Sequence, residues 1–127
     1  MIADAYHDLL HAPNTAVLAS LLPDGTPQAS PVWFWFDGER IMVSTTAERQ
    51  KHRNVKRSPD VALTVVDPDQ PLRYLEIRGR VELADDPEFV IRDAIARKHG
   101  FPDGGVFDEP GSHRVTMTIV PTRVIEH

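Results

Sequence analysis

A cluster of hydroxyls and a run of charged residues stand close together in Ser44-Thr45-Thr46-Ala47-Glu48-Arg49-Gln50-Lys51-His52-Arg53-Asn54-Val55-Lys56-Arg57. Arg49, Lys51, Arg53, Lys56 and Arg57 are set against a single acid, Glu48, in a chain whose formal net charge is -5. Hydroxyls at the end of a strand, followed by the start of a cation-rich helix, make an anion site. The first N–H groups of the helix have no intrahelical acceptor, the helix dipole favours negative charge, and Arg and Lys add charge-assisted hydrogen bonds. A phosphate-bearing ligand fits that chemistry. Two blander readings exist. A charge run on a short helix is often a solvated face, and a basic patch can serve nucleic acid. The sequence pI of about 5.6 argues against the second.

Helix geometry constrains how such a site works. Residues two apart on a regular α-helix differ by about 200° and do not share a face. Two cations set two apart, such as Arg49 and Lys51, could share one anion only if the first lay at the turn entering the helix, with the helix starting near Glu48 or Arg49. Arg53 and Arg57 then share a face with Arg49 and meet either a longer anionic tail or solvent.

Other reactive residues form weaker patterns. His7 and His11 are four apart on an expected first helix, a metal-ligand spacing, but no acid completes a motif and a surface pair is the simpler reading. His52 stands in the basic run, either touching phosphate or donating a proton, or exposed on the helix. His99, His113 and His127 form no pattern. No Ser/His/Asp spacing stands out. No catalytic residue and no metal site is assigned. The chain has no cysteine, so disulfides, thiolate nucleophiles and Cys-ligated metals are excluded.

The elements that position these residues can be read in order. Residues 2–11 suggest a short helix with Ile2, Tyr6, Leu9 and Leu10 on one face. Thr15 to Leu22 reads as a strand, Pro23-Asp24-Gly25-Thr26 as a turn, residues 27–36 as a second strand, Asp37-Gly38 as a hairpin signal and Glu39 to Thr45 as a third strand. Together these suggest a three-stranded meander. In the second strand Val32, Phe34 and Phe36 point one way, and Trp33 and Trp35 the other. The tryptophan face suits a partner subunit, a flat ligand or a covering helix of the same chain. After Ser58-Pro59-Asp60, Val61 to Val66 is an apolar strand. Residues 72–83 alternate, with Leu75, Ile77, Val81 and Leu83 inward and Tyr74, Glu76, Arg78, Arg80 and Glu82 outward. Gly79 interrupts the inner face and suits a bend or a close backbone approach. Asp85-Asp86-Pro87 reads as a helix start, Val90, Ile91, Ala94 and Ile95 as the helix's apolar stripe, and Gly100 as its stop. Residues 101–112 read as an acidic surface loop. Val115, Met117 and Ile119 belong to a last strand running past Pro121 to Val124. Six or more antiparallel strands with few helices point to a small closed or partly open β-barrel.

The 127 residues suit one domain, residues 1–127, and 41% hydrophobic with 26% charged residues is a globular composition. The N-terminus shows no basic region followed by an apolar stretch, and no apolar run spans a membrane. A cytoplasmic location, with neither nucleic acid nor membrane as partner, is the expectation.

The order of pieces resembles a known family. Asp24-Gly25-Thr26-Pro27 leads to Ser30-Pro31-Val32-Trp33-Phe34. Then come Thr45-Thr46, Arg49-Gln50-Lys51-His52-Arg53-Asn54, Val61-Ala62-Leu63-Thr64-Val65 and Tyr74-Leu75-Glu76-Ile77-Arg78-Gly79-Arg80-Val81. This resembles the pyridoxamine 5′-phosphate oxidase-like split β-barrels, from about Leu9 to Val124, and within them the group using the deazaflavin coenzyme F420. The resemblance implies a mainly β (α+β) fold: a six-stranded antiparallel split barrel of the FMN-binding type with a few short flanking helices. It also implies a homodimer with the cofactor between subunits, and hydride transfer between F420 and a small organic acceptor. It places Ser44, Thr45, Thr46, Arg49, Lys51 and Asn54 at the phosphate, Pro31, Val32 and Trp33 along the ring, and Tyr74 at the site from the opposite subunit. An FMN-dependent enzyme, or a non-catalytic carrier of flavin, deazaflavin or haem, is the alternative.

Overall fold

The computed structural model describes residues 1–127. A 3-10 turn, Asp4–Tyr6, leads into α1 (His7–His11). Then follow β1 (Ala16–Leu21), β2 (Pro27–Val32), β3 (Trp35–Phe36), β4 (Ile41–Thr46), α2 (Gln50–Arg57), β5 (Asp60–Val66) and β6 (Tyr74–Asp85). The chain closes with α3 (Val90–Lys98), a second 3-10 turn (Gly105–Phe107) and β7 (Arg114–Glu126). All pairings are antiparallel, in the order β2-β1-β5-β6-β7-β4-β3.

Seven strands replace the expected six because the segment 27–36 is not one strand. Its first part pairs with β1 and its last two residues pair with β4. The expected meander is therefore corrected: β2 and β4 are not neighbours but lie toward opposite ends of the sheet. Only Trp33 and Phe34 connect the two edge strands, a link that spans at most ~11 Å. That short tether forces the sheet to curl until its edges stand side by side, without a ladder between them. The result is a split barrel. Phe34, in the tether, is fully buried and plugs the split from inside.

The long strands carry the curl. In β6 and β7 the register slips between Arg78 and Gly79, with Gly79 opposite Pro121 and Arg78 opposite Arg123. A Cβ at Gly79 would stand 2.4 Å from the Val120 carbonyl oxygen. The close backbone approach expected from the sequence is thus present, and only glycine fits it.

Nineteen buried apolar residues fill the barrel, among them Leu18, Phe34, Ile41, Val43, Leu63, Val65, Leu75, Ile77, Met117 and Ile119. Most are the inward positions of alternating strands, as period-2 patterning requires, joined by Leu9 and Leu10 of α1, Val55 of α2 and Phe34 of the tether. Leu83 is an exception. It is expected inside but is 37% exposed; it lies on the part of β6 beyond the ladder with β5, which ends at Asp60 opposite Arg80. The N-terminal helix is shorter than expected, and its first turn is 3-10.

The helix α3 begins later than Asp85-Asp86-Pro87 suggested. Phe89, in the left-handed region at φ 60°, is its N-cap residue and offers no side-chain oxygen. Asp86 does the capping from upstream: its carboxylate accepts from the N–H groups of Val90, Ile91 and Arg92 at 2.8, 3.2 and 3.1 Å. On this helix Ile95 and Ala96 are buried while Val90, assigned to the stripe, is its first residue and is 62% exposed. The glycine stop at Gly100 holds, with φ at 90°. No helix is long and apolar enough to cross a membrane.

Candidate functional site

The strand β4 alternates cleanly: Ile41, Val43 and Thr45 are buried, and Met42, Ser44 and Thr46 face the other way. Its partner is β7, with Thr46 opposite Arg114 and Ser44 opposite Thr116. Paired residues share a face, so the outward hydroxyls of β4 stand beside the Arg114 side chain. Past Thr46 the chain turns, with the Arg49 N–H donating to the Thr46 carbonyl at 3.1 Å, and α2 starts at Gln50.

Arg49 is the N-cap residue of α2, with extended backbone at φ −72° and ψ 147°. It therefore lies at the turn entering the helix, the one placement that lets it share an anion with Lys51. No side chain caps this helix and its first turn has no acid. The free N–H groups and the dipole are left unneutralised by the chain itself.

These elements wall a cavity of about 870 Å³. Pro31 and Val32 of β2 and Trp33 of the tether line one side; Ser44, Thr45, Thr46, Glu48, Arg49 and Lys51 line another. Across from them stand Arg92, Ile95 and Ala96 of α3, then Phe107, Glu109, Ser112 and Arg114, with Thr15 before β1. Thr45 belongs to this wall but is only 4% exposed, on the core side of its strand.

One expected contact, Asn54, lies elsewhere. Asn54 is fully buried; its amide donates to Ser20 Oγ at 3.1 Å and Gln28 Oε1 at 3.0 Å and accepts from Gln50 Nε2 at 2.8 Å. That network ties α2 to the β1–β2 hairpin, and its helical position turns Asn54 toward the sheet. Tyr74, expected to reach the site from the opposite subunit, is outside this chain's own cavity and stacks on His127, with ring centroids 4.9 Å apart. His52 is buried, not exposed, with Nδ1 2.8 Å from the Ala47 carbonyl. It pins the turn rather than facing the Arg49–Lys51 cavity. The cations Arg53 and Arg57 are likewise held by their own chain, Arg53 by the Glu48 carbonyl and by Gln50, and Arg57 by the Leu21 carbonyl.

The aromatic wall is built from the same chain. The His99 ring stacks on the Trp33 indole at 3.9 Å and 4° between planes, and Phe107 meets it edge-on at 5.8 Å. So Trp33 is covered by the α3 end and the following loop while still lining the cavity. Trp35 is the more exposed of the two tryptophans, at 37%.

Charge is unevenly satisfied. Arg92 pairs with Asp93 at 3.0 Å and Asp108 at 2.8 Å, and Arg114 pairs with Asp108 at 2.5 Å. Burial pushes the Asp108 carboxyl up, but hydrogen bonds from Arg114 and Arg92 outweigh it and hold the group below the usual carboxylate range. Arg49 and Lys51 are in none of the chain's ion pairs. Burial, then the charges of Arg49 and Arg114, hold the Lys51 ammonium below the usual lysine value. A half-buried ammonium facing other cations is costly until an anion arrives.

The residues that sequence reading missed come from α3, the loop after it and β7. Their common cause is the non-local β4–β7 pairing, which brings Arg114 next to Ser44 and Thr46 across about seventy positions of chain. No local motif marks them.

A family model described as pyridoxamine 5′-phosphate oxidase matches residues 2–120. The solved structure of an F420 reductase is 38% identical, with a TM-score of 0.86 over 98% of each chain. A conserved hypothetical protein from Mycobacterium tuberculosis is 24% identical, with a TM-score of 0.83 over 99% of this chain and 84% of the other, which shows the shared fold.

Proposed function

The chain belongs to the pyridoxamine 5′-phosphate oxidase family, and from that premise we propose that it is an F420-dependent oxidoreductase working on a small organic acceptor. The observation that carries the reading is the unpaired, half-buried Lys51 ammonium beside Arg49 at an uncapped helix start. The cavity's own residues fit such a cofactor: cations and hydroxyls at one end, and Pro31, Val32 and Trp33 as an apolar strip at the other. Arg49, Lys51, Ser44 and Thr46 would hold the phosphoryl group, and the strip around Trp33 would lie along the ring. When bound, the deazaflavin supplies the hydride; the chain's part is to bind, orient and exclude water. The likeness to an F420 reductase over the full chain favours deazaflavin over FMN.

The tests are a titration and a turnover assay. Fluorescence titration is expected to show F420 binding at least tenfold tighter than FMN; equal or reversed affinities defeat the cofactor assignment. Reduced F420 is then expected to be oxidised in the presence of at least one acceptor from a panel of quinones, nitroaromatics and conjugated enones. Tight binding with no oxidation by any member leaves a carrier, not an enzyme.

We also propose a homodimer that completes the cavity, with Tyr74 entering from the second copy. The cavity is partly open to solvent in the single chain, and Trp35 and Tyr74 are not among its lining residues.

A further inference from the structure

Arg114 is held by one edge of its guanidinium. Asp108 takes that edge: Nε donates to Oδ1 at 2.9 Å and to Oδ2 at 3.2 Å, and Nη2 donates to Oδ1 at 2.5 Å. The remaining nitrogen, Nη1, points to Ser44 Oγ at 3.4 Å, a contact too long to satisfy it. Arginine carries five N–H donors in a rigid fork, so fixing one edge aims the other. The aim here is along the outward face of β4, toward Ser44 and Thr46 and the side where Lys51 stands. Asp108 is itself fixed from a second direction, because Arg92 Nη1 donates to its Oδ2 at 2.8 Å. Arg92 is in turn anchored to Asp93, whose carboxylate accepts the Gly104 N–H at 2.8 Å. At Gly104 a Cβ would stand 2.7 Å from the Arg92 side chain, so the loop packs flat on this arginine.

We propose that Arg114 is a third cationic arm of the anion site, reaching the same phosphoryl group as Arg49 and Lys51, and that Asp108 is the positioning residue that aims it. The inference rests on reading the cavity as the site of a phosphate-bearing cofactor, whether flavin or deazaflavin. It gives the acidic loop 101–112 a defined part in that site. The loop's carboxylate does not meet the ligand; it presents an arginine to it. Without Asp108, Arg114 would keep its charge and lose its direction.

The experiment compares two probes, F420 and its phosphate-free deazaflavin head group, on the full chain and on the variants Arg114→Gln, Arg114→Lys and Asp108→Asn, each checked for a cooperative thermal transition. Arg114→Gln is expected to weaken F420 at least tenfold and leave the phosphate-free probe within twofold. Arg114→Lys, which can keep the pairing with Asp108, is expected to recover part of that loss. Asp108→Asn is expected to weaken F420 with the same selectivity and to steepen the salt dependence of what binding remains. Equal losses on both probes would make Arg114 a merely structural residue and overturn the proposal, as would unchanged F420 affinity in Arg114→Gln. If the unaltered chain binds neither F420 nor FMN, the reading of the cavity fails, a different result from a wild-type chain that binds F420 and an Arg114 variant that binds it equally well.

Discussion

At the scale of single residues, two lysines illustrate what an unpaired ammonium does. Lys51 faces the cavity among cations and awaits an anion. Lys51→Glu is therefore expected to weaken F420 by at least about 2 kcal/mol, the scale of a charge-assisted phosphate contact, or roughly thirtyfold in Kd. Unchanged affinity would remove Lys51 from the site. Lys98 faces inward. Its Nζ donates to the carbonyls of Leu10 at 2.7 Å and Phe34 at 3.1 Å and lies 3.9 Å from the Phe34 ring centroid. No carboxylate pairs with it, and burial lowers its pKa to about 8. The folded chain then holds fewer protons than the unfolded chain between about pH 8 and the ordinary lysine value of 10.5. Stability from this group rises with pH across that window. Urea midpoints at pH 7, 9 and 10.5 are expected to climb more steeply, or fall less, in the unaltered chain than in Lys98→Met; identical slopes would exclude the effect. The family resemblance singled out the Arg49–Lys51 pair, and helix geometry required Arg49 at the turn entering the helix, where it lies. Sequence reading did not find Lys98, because nothing local shows that an α3 lysine meets the tether and the end of α1.

At the scale of elements, what was legible depended on range. Period-2 alternation marked β6 and β7, a continuous apolar run marked β5, and turn chemistry marked Gly25 and Gly38, both at positive φ. The break at Trp33–Phe34 was not legible, since Val32, Phe34 and Phe36 keep their alternation through it and all three are buried. Only the pairing of β3 with β4, rather than β1, shows the switch. The start of α3 was displaced for a related reason. Asp85-Asp86-Pro87 was read as the helix start, but Asp86 works across a turn, reaching three N–H groups from outside the helix. Asp86→Ala is expected to cost about 1–2 kcal/mol, read as a lower urea midpoint. Because α3 walls the cavity, cofactor affinity should fall with it. A variant with full stability would show that Asp86 caps nothing of consequence.

At the scale of the whole molecule, the split is what makes a site. A sheet whose edge strands are joined by two residues must curl, and the curl sets β2 and the tether beside β4, with α2 leaving at the rim. The apolar strip and the cationic turn, distant in a flat sheet, become two walls of one cavity. The cavity is partly open to solvent in the single chain, which motivates the proposed dimer. Sedimentation velocity at micromolar concentration is expected to give a dimer's mass, and a monomer at that concentration would count against a cavity completed by a second copy.

The most direct measurement is a crystal of this chain soaked with F420. Density for the phosphoryl group is expected between Arg49 and Lys51, against Ser44 and Thr46, with the ring along Pro31, Val32 and Trp33. Phosphoryl density anywhere else, with Arg49 and Lys51 turned to solvent, would contradict the assignment of this cationic turn as the cofactor's anchor.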